Sequence, residues 1–133
     1  MQVHYFLVPQ TDKPFADLVE ARLRRIPSAF RHPDARDRSW IVAASPQMAR
    51  WLEAKLKQDP RTTLATQGVV TLHPASLEIW QDAPREILDQ LQPFVAWFLQ
   101  AWPCEVLSEE GEDWSARYAH DPRALFVEED AWS

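Results

Sequence analysis

Residues 39–58 decide the expected fold, and they read Ser-Trp-Ile-Val-Ala-Ala-Ser-Pro-Gln-Met-Ala-Arg-Trp-Leu-Glu-Ala-Lys-Leu-Lys-Gln. Residues 40–44 form a short continuous apolar run, which is typical of a strand buried on both faces of a sheet. Ser45 can accept hydrogen bonds from the first free N–H groups of a helix, and Pro46 suits the first helical position. The apolar residues that follow at helical spacing are Met48, Trp51, Leu52 and Leu56. A buried strand that leads into an amphipathic helix is the repeating unit of α/β folds.

The segments on either side alternate between strand and helix patterns. Runs of β-branched and aromatic residues predict strands over residues 3–8, 69–72, 77–80 and 104–107, with a short helix from Ser76 as the alternative to the third. A helical period predicts a helix over residues 15–26, and the polar residues 27–38 favour a connecting loop. Proline inside a helix costs about 3 kcal/mol, so we expect a break before Pro93 and a helix from there to about Trp102. Residues 85–91 then form a separate short element, either strand or helix.

These elements predict a single α/β domain over residues 1–133, with a short helix at 114–120, a strand at 124–127 and an acidic tail from about residue 128. The expected architecture has three layers, with a mostly parallel sheet of about five strands and helices on both faces. It has the outline of a nucleotide-binding domain without a phosphate loop. The two glycines, Gly68 and Gly111, do not lie between a strand and a helix, where a phosphate loop needs them. No cofactor is therefore expected.

Charge is spread unevenly along the chain. Residues 1–61 carry eleven Lys or Arg against seven Asp or Glu, and residues 62–133 carry three against thirteen. The net charge of −6 argues against a general nucleic-acid binder, which usually has a basic excess. A basic cluster that could receive an acidic peptide or a phosphate is formed by Arg22, Arg24, Arg25, Arg31, Arg36 and Arg38. The alternative is a solvated surface on which these arginines pair with Glu20, Asp34 and Asp37.

No pattern in the sequence predicts an enzyme or a metal site. The four histidines are scattered without ligand spacing, and Cys104 is the only cysteine, expected to be an inert, partly buried thiol. Ser45 lacks the flanking glycines of a nucleophile elbow, so capping is the better interpretation. The seven tryptophans favour a core and a protein interface over stacking on single-stranded DNA. Without a membrane-spanning run or a leader-like start, a cytoplasmic protein is expected.

Taken in order, the segments resemble the chi subunit family of bacterial DNA polymerase III. The resemblance rests on an opening apolar strand, a strand that runs into a helix, a strand ending in Trp, a short apolar element, a helix with a Pro-Phe start, a further strand and an Arg-Tyr pair. In this chain the segments are Val3-His-Tyr-Phe-Leu-Val8, residues 41–56, Leu77-Glu-Ile-Trp80, Ile87-Leu-Asp-Gln-Leu91, Pro93-Phe-Val-Ala-Trp-Phe98, Glu105-Val-Leu107 and Arg117-Tyr118.

The resemblance implies a non-catalytic replication adaptor with a nucleotide-binding-like fold. Its implied partners are the psi subunit of the clamp loader and the acidic C-terminal tail of single-stranded-DNA-binding protein, with no direct contact to nucleic acid or membrane. A tail that ends in an aromatic residue and a carboxylate needs an apolar slot rimmed by cations. Arg117 and Tyr118 match the family's binding position, and Arg123 is a nearby candidate from its charge. Two alternatives are an inhibitor or immunity-type module that uses the acidic C-terminal half, and a small enzyme with an atypical site.

Overall fold

The chain forms six strands and three helices within residues 2–34, 36, 38–62, 67–82 and 85–115, the part described by a computed structural model. The strands are β1 (Gln2–Pro9), β2 (Ala29–Arg31), β3 (Ser39–Val42), β4 (Gly68–Leu72), β5 (Leu77–Asp82) and β6 (Cys104–Ser108). The helices are α1 (Ala16–Arg24), α2 (Pro46–Gln58) and α3 (Arg85–Ala101). In these ranges no helix combines the length and the apolar character needed to cross a membrane.

All six strands belong to one sheet, in the order β2-β3-β4-β5-β1-β6, and every neighbouring pair is antiparallel. The predicted mostly parallel sheet of about five strands is therefore wrong. The β4–β5 connection spans only residues 73–76, which permits a hairpin but is too short for the crossover that parallel strands require. The connection between β3 and β4 includes α2, yet it returns the chain to the same end of the sheet.

The larger part of the core lies on the sheet face that α1 and α3 cover. Alternate residues of the central strands, such as Tyr5, Val70 and Ile79, point to this face and are fully buried. Phe98 of α3 and Trp102, which follows this helix, contribute aromatic rings that stack with centroids 4.9 Å apart. Burial raises the pKa of the Tyr5 hydroxyl well above its usual range, so this group stays neutral.

α2 covers the opposite face near the β2 edge, where it forms a smaller cluster with Phe30 and Ile41. The predicted cap is confirmed, because the Met48 backbone N–H donates a hydrogen bond of 3.1 Å to the Ser45 hydroxyl and Pro46 begins the helix. The expected apolar stripe is only partly correct. Ala49, Leu52 and Leu56 are buried, whereas Met48 and Trp51 are exposed.

The break expected at Pro93 is wrong, since α3 runs through this proline. Ile87 and Leu91 before it, and Phe94 and Phe98 after it, are all buried on one face. Burying a large apolar side chain contributes about 1.5–3 kcal/mol, so several of them outweigh a proline cost of about 3 kcal/mol. Residues 85–91, which the sequence left open between strand and helix, are the first part of this helix.

The loop predicted over residues 27–38 contains a short strand, β2. Phe30 is buried against α2 while Arg31 is exposed, and this alternation stabilises the strand. A strand of three residues is too short for a sequence period to reveal it. The predicted strand at 77–80 is confirmed as part of β5, which removes the alternative of a helix from Ser76. Most of the helix expected at 114–120 lies outside the described residues. The strand expected at 124–127 and the acidic tail from residue 128 lie entirely outside them.

Candidate peptide-binding surfaces

The six predicted arginines lie on neighbouring elements at the β2 end of the sheet. Arg22 and Arg24 are on the last turn of α1, Arg25 is its C-cap, and Arg31 is on β2. Arg36 and Arg38 lie in the segment that connects β2 with β3. The arginines therefore lie on α1, on β2, which packs against it, and on the segment that follows β2.

Three of the six arginines form ion pairs with the protein's own carboxylates. The Glu20 carboxylate lies 3.4 Å from Arg24 Nη2 and 4.0 Å from Arg38 Nη2, and the Arg36 side chain lies 3.6 Å from Asp34. These arginine side chains are 62%, 51% and 93% exposed, and ion pairs in such surroundings contribute little.

The pKa of Asp34 is lowered, chiefly because the Arg36 backbone N–H donates a hydrogen bond to its carboxylate. Two guanidinium groups lie over aromatic rings: Arg24, already paired with Glu20, at 5.8 Å from the Trp40 centroid, and Arg22 at 5.3 Å from the Trp97 centroid. Within the described ranges, Arg25 and Arg31 have no ion-pair partner. The pairing expected for Asp37 concerns a residue outside these ranges.

A shallow recess of about 430 Å³ lies where the arginine cluster meets the end of β4. Its lining comprises Asp34, Arg36, Arg38, Thr71, Leu72 and His73. The His73 Nε2 atom lies 2.7 Å from a Glu78 oxygen, so this histidine already has an anionic partner. The recess is open and its lining is about equally polar and apolar, so it is not an enclosed apolar slot for an aromatic side chain.

Glu78 is the centre of a polar cluster on the other side of the sheet from α1 and α3. One carboxylate oxygen lies 2.6 Å from His4 Nε2 and accepts a hydrogen bond from Trp80 Nε1, and the other lies 2.7 Å from His73 Nε2. The His4 ring stacks on Trp80 at 3.8 Å and its second nitrogen lies 3.2 Å from Glu109. His4 is thus held by ring stacking and by two carboxylates.

The hydrogen bonds around Glu78 set its charge. Partial burial by itself raises the pKa, but the hydrogen bonds from His73, Trp80 and His4 outweigh this effect and hold the pKa below its ordinary value of 4.5. Both carboxylate oxygens already have partners, so the cluster joins β1, β5 and the turn after β6. Among the residues that the structure describes, no group of His, Cys, Asp and Glu has the arrangement needed to hold a metal ion.

Two exposed apolar side chains, Met48 and Trp51, form a small patch on α2 together with Lys55. These three residues are called the α2 patch below. Met48 is 42% and Trp51 57% exposed, and the Lys55 ammonium lies 5.1 Å from the Trp51 ring centroid. The three residues are spaced by three and four positions, so they lie on one side of the helix. This patch combines an exposed aromatic surface with a cation.

Sequence reasoning missed this patch because it assigned Met48 and Trp51 to the buried stripe. Four large apolar residues fit the helical period, but α2 meets only a narrow part of the sheet beside Phe30 and Ile41. Ala49 is buried with Leu52 and Leu56 on the face of α2 that meets the sheet. The presence of Ala49 at the ideal spacing from Leu52 and Leu56 is the signal that could have placed the stripe correctly.

The residues implied by the family resemblance, Arg117, Tyr118 and Arg123, lie outside the described residues. Comparisons with protein-family models, with curated proteins and with solved structures found no match to the chain.

Proposed function

We propose that this protein is a non-catalytic adaptor that binds an acidic peptide tail ending in an aromatic residue, and that the α2 patch contacts the aromatic end. The observation that carries this proposal is the exposure of Trp51 beside Met48, with the Lys55 ammonium next to the ring. The resemblance to the chi subunit suggests the partners, namely the C-terminal tail of single-stranded-DNA-binding protein and the psi subunit of the clamp loader. The antiparallel sheet departs from the nucleotide-binding-like fold that the resemblance implied. The proposal therefore rests on the α2 patch.

The chemistry of the α2 patch suits such a tail. Tryptophan is enriched among the few residues that dominate binding energy, because its large rigid surface loses contact with water at low entropic cost. A terminal carboxylate beside the aromatic end can pair with the Lys55 ammonium. The arginine cluster, and Arg117, Tyr118 and Arg123 as implied by the resemblance, are the proposed contacts for the acidic residues further along the tail.

The test is a titration with a fluorescein-labelled peptide made of a run of aspartates followed by a C-terminal phenylalanine, monitored by fluorescence anisotropy. Truncating a residue that dominates binding costs about 2 kcal/mol or more, so Trp51→Ala should weaken binding by at least about tenfold. Lys55→Ala should weaken it less, and should reduce its dependence on salt concentration. Lys57→Ala is the matched control, because it removes an exposed cation from the same helix on a different side.

Equal affinity for wild type, Trp51→Ala and Lys55→Ala would remove the α2 patch from the proposal. Arg117→Ala, measured with the same peptide, tests the position that the resemblance implies. Co-purification from the native cell separates the partner classes. Recovery of clamp-loader components supports the adaptor, whereas a basic partner released by substituting Glu109 and Glu110 supports the inhibitor or immunity-type alternative instead.

A further inference from the structure

The two edges of the sheet differ in how their outward backbone groups are hydrogen-bonded. At the β6 edge, the outward backbone groups are paired with the returning residues 112–115. The Trp114 N–H donates to the Val106 carbonyl at 2.7 Å, and the Val106 N–H donates to the Ser115 hydroxyl at 3.0 Å. At the opposite edge, β3 is the only strand of the described residues that pairs with β2.

The register of β2 shows which of its backbone groups point outward. The His32 N–H donates to the Ser39 carbonyl and the Ser28 carbonyl accepts from the Ala43 N–H, both at 2.9 Å. Because hydrogen-bonding direction alternates along an antiparallel strand, Ser28, Phe30 and His32 face β3. Ala29 and Arg31 therefore face away from the sheet. The Ala29 N–H is used by the Ile26 carbonyl at 3.0 Å, while the Ala29 carbonyl and both backbone groups of Arg31 have no partner in the described part of the chain.

Positive charge surrounds this open edge. Arg31 is exposed on β2 itself, and α1, whose C-terminal end carries Arg24 and Arg25, packs against β2. Within the described residues, Glu20 is the acidic partner of Arg24, and it lies 3.4 Å away, longer than a strong charge-assisted hydrogen bond of about 2.8 Å. An unpaired edge normally risks pairing with any extended chain, and cations on it favour acidic partners over others.

We infer that an extended acidic segment of the partner adds to the outer edge of β2 as a seventh strand of the sheet. This mode of recognition supplies affinity through main-chain hydrogen bonds and specificity through alternate side chains. In this added strand, the residue opposite Arg31 lies on the same face of the sheet as Arg31. It is acidic, because it meets the cations of β2 and α1. Its neighbours point to the face of Phe30 and α2 and are apolar, so the segment alternates between acidic and apolar residues.

The inference rests on the proposed function, since it specifies how the acidic part of the same partner is held. The probe is a labelled peptide of alternating aspartate and valine, prepared unmodified and with N-methyl groups on either alternate set of backbone amides. Only one set of amides can face β2, so one methylated peptide should bind at least about tenfold more weakly while the other stays within about twofold of the parent. A contact that depends on charge alone would treat the two methylated peptides alike.

Substitution of the protein provides the second arm. Arg31→Gln should weaken binding and lower its salt dependence, whereas Arg61→Gln removes an equally charged, exposed arginine that is not part of β2 or α1 and should not. Equal binding of the two methylated peptides, or equal effects of the two substitutions, would overturn the inference and leave the proposed function standing. Binding of the aspartate–phenylalanine tail without any binding of the alternating peptide would also overturn the inference and leave the proposed function standing. Failure of the wild type to bind either peptide would remove both proposals.

Discussion

Replacing Gly68 with alanine tests how closely α3 packs against β4. A Cβ atom at this position would stand 2.7 Å from Leu91 Cδ1 and 3.0 Å from Ile87 Cγ2, and both neighbours are fully buried. Overpacking of this kind costs about 1–3 kcal/mol. The backbone of Gly68 is not left-handed, so the reduced entropy of the unfolded chain offsets about 0.4–1 kcal/mol of this cost. We expect Gly68→Ala to lower the free energy of unfolding by about 1–2 kcal/mol.

Urea unfolding followed by circular dichroism measures this change as a lower midpoint with an unchanged slope. Leu91→Ala alone should cost about 2–5 kcal/mol, because it leaves a cavity in the core. In the double variant the methyl group introduced by Gly68→Ala enters that space, so the combined cost should be smaller than the sum of the two single costs by at least about 0.5 kcal/mol. Strict additivity, or full stability of Gly68→Ala, would refute the packing argument.

Gly111 provides a control with a different physical cause. Its φ angle is +86° and nothing lies within 4 Å of an added Cβ, so Gly111→Ala should be destabilising through backbone strain alone, by about 1–2 kcal/mol. Asparagine tolerates the left-handed conformation, and Gly111→Asn should recover part of this loss. Gly68→Asn should be worse than Gly68→Ala, because there the limit is space.

Three further predictions concern single side chains. Ser45→Ala removes the acceptor of the Met48 N–H and should lower the free energy of unfolding by about 1 kcal/mol in the same assay. Glu78 has a pKa below its unfolded value near 4.5, so it stabilises the folded state above about pH 4.5 and loses this effect as the pH falls. Unfolding of Glu78→Gln should accordingly vary less between pH 7 and pH 4 than that of wild type, and an identical pH profile would contradict this. Burial raises the pKa of the Cys104 thiol to about 12, so a thiol reagent at pH 8 should label it only after unfolding.

Local sequence patterns predicted most of the strands and helices, because each depends on a few adjacent residues. The Ser45 cap, Pro46 and the short apolar run at residues 40–44 are signals of this kind. The direction in which strands pair is not a local property. The burial of β3 on both faces led us to expect a parallel sheet, but α2 on one face and α1 with α3 on the other bury it equally well in an antiparallel sheet.

The other errors arose where tertiary contacts outweighed a local preference. Pro93 disfavours a continuous helix, yet the buried residues on both sides of it lie on one face of α3. The candidate surfaces were harder to predict than the fold. The arginines were identified from their spacing, whereas the exposure of Trp51 depends on how narrow a strip of sheet α2 covers, and no sequence period reports this width.

The sheet divides the core into unequal parts, with nineteen buried residues on the side of α1 and α3 and six on the side of α2 among those described. Regions with few buried contacts open at a lower free energy than the whole molecule unfolds. Amide hydrogens of α2 should therefore exchange with deuterium before those of α3, through local opening. Since the α2 patch lies on this helix, a ligand bound there should slow exchange in α2 more than elsewhere, and mass spectrometry of the peptides from α2 and α3 can measure both rates.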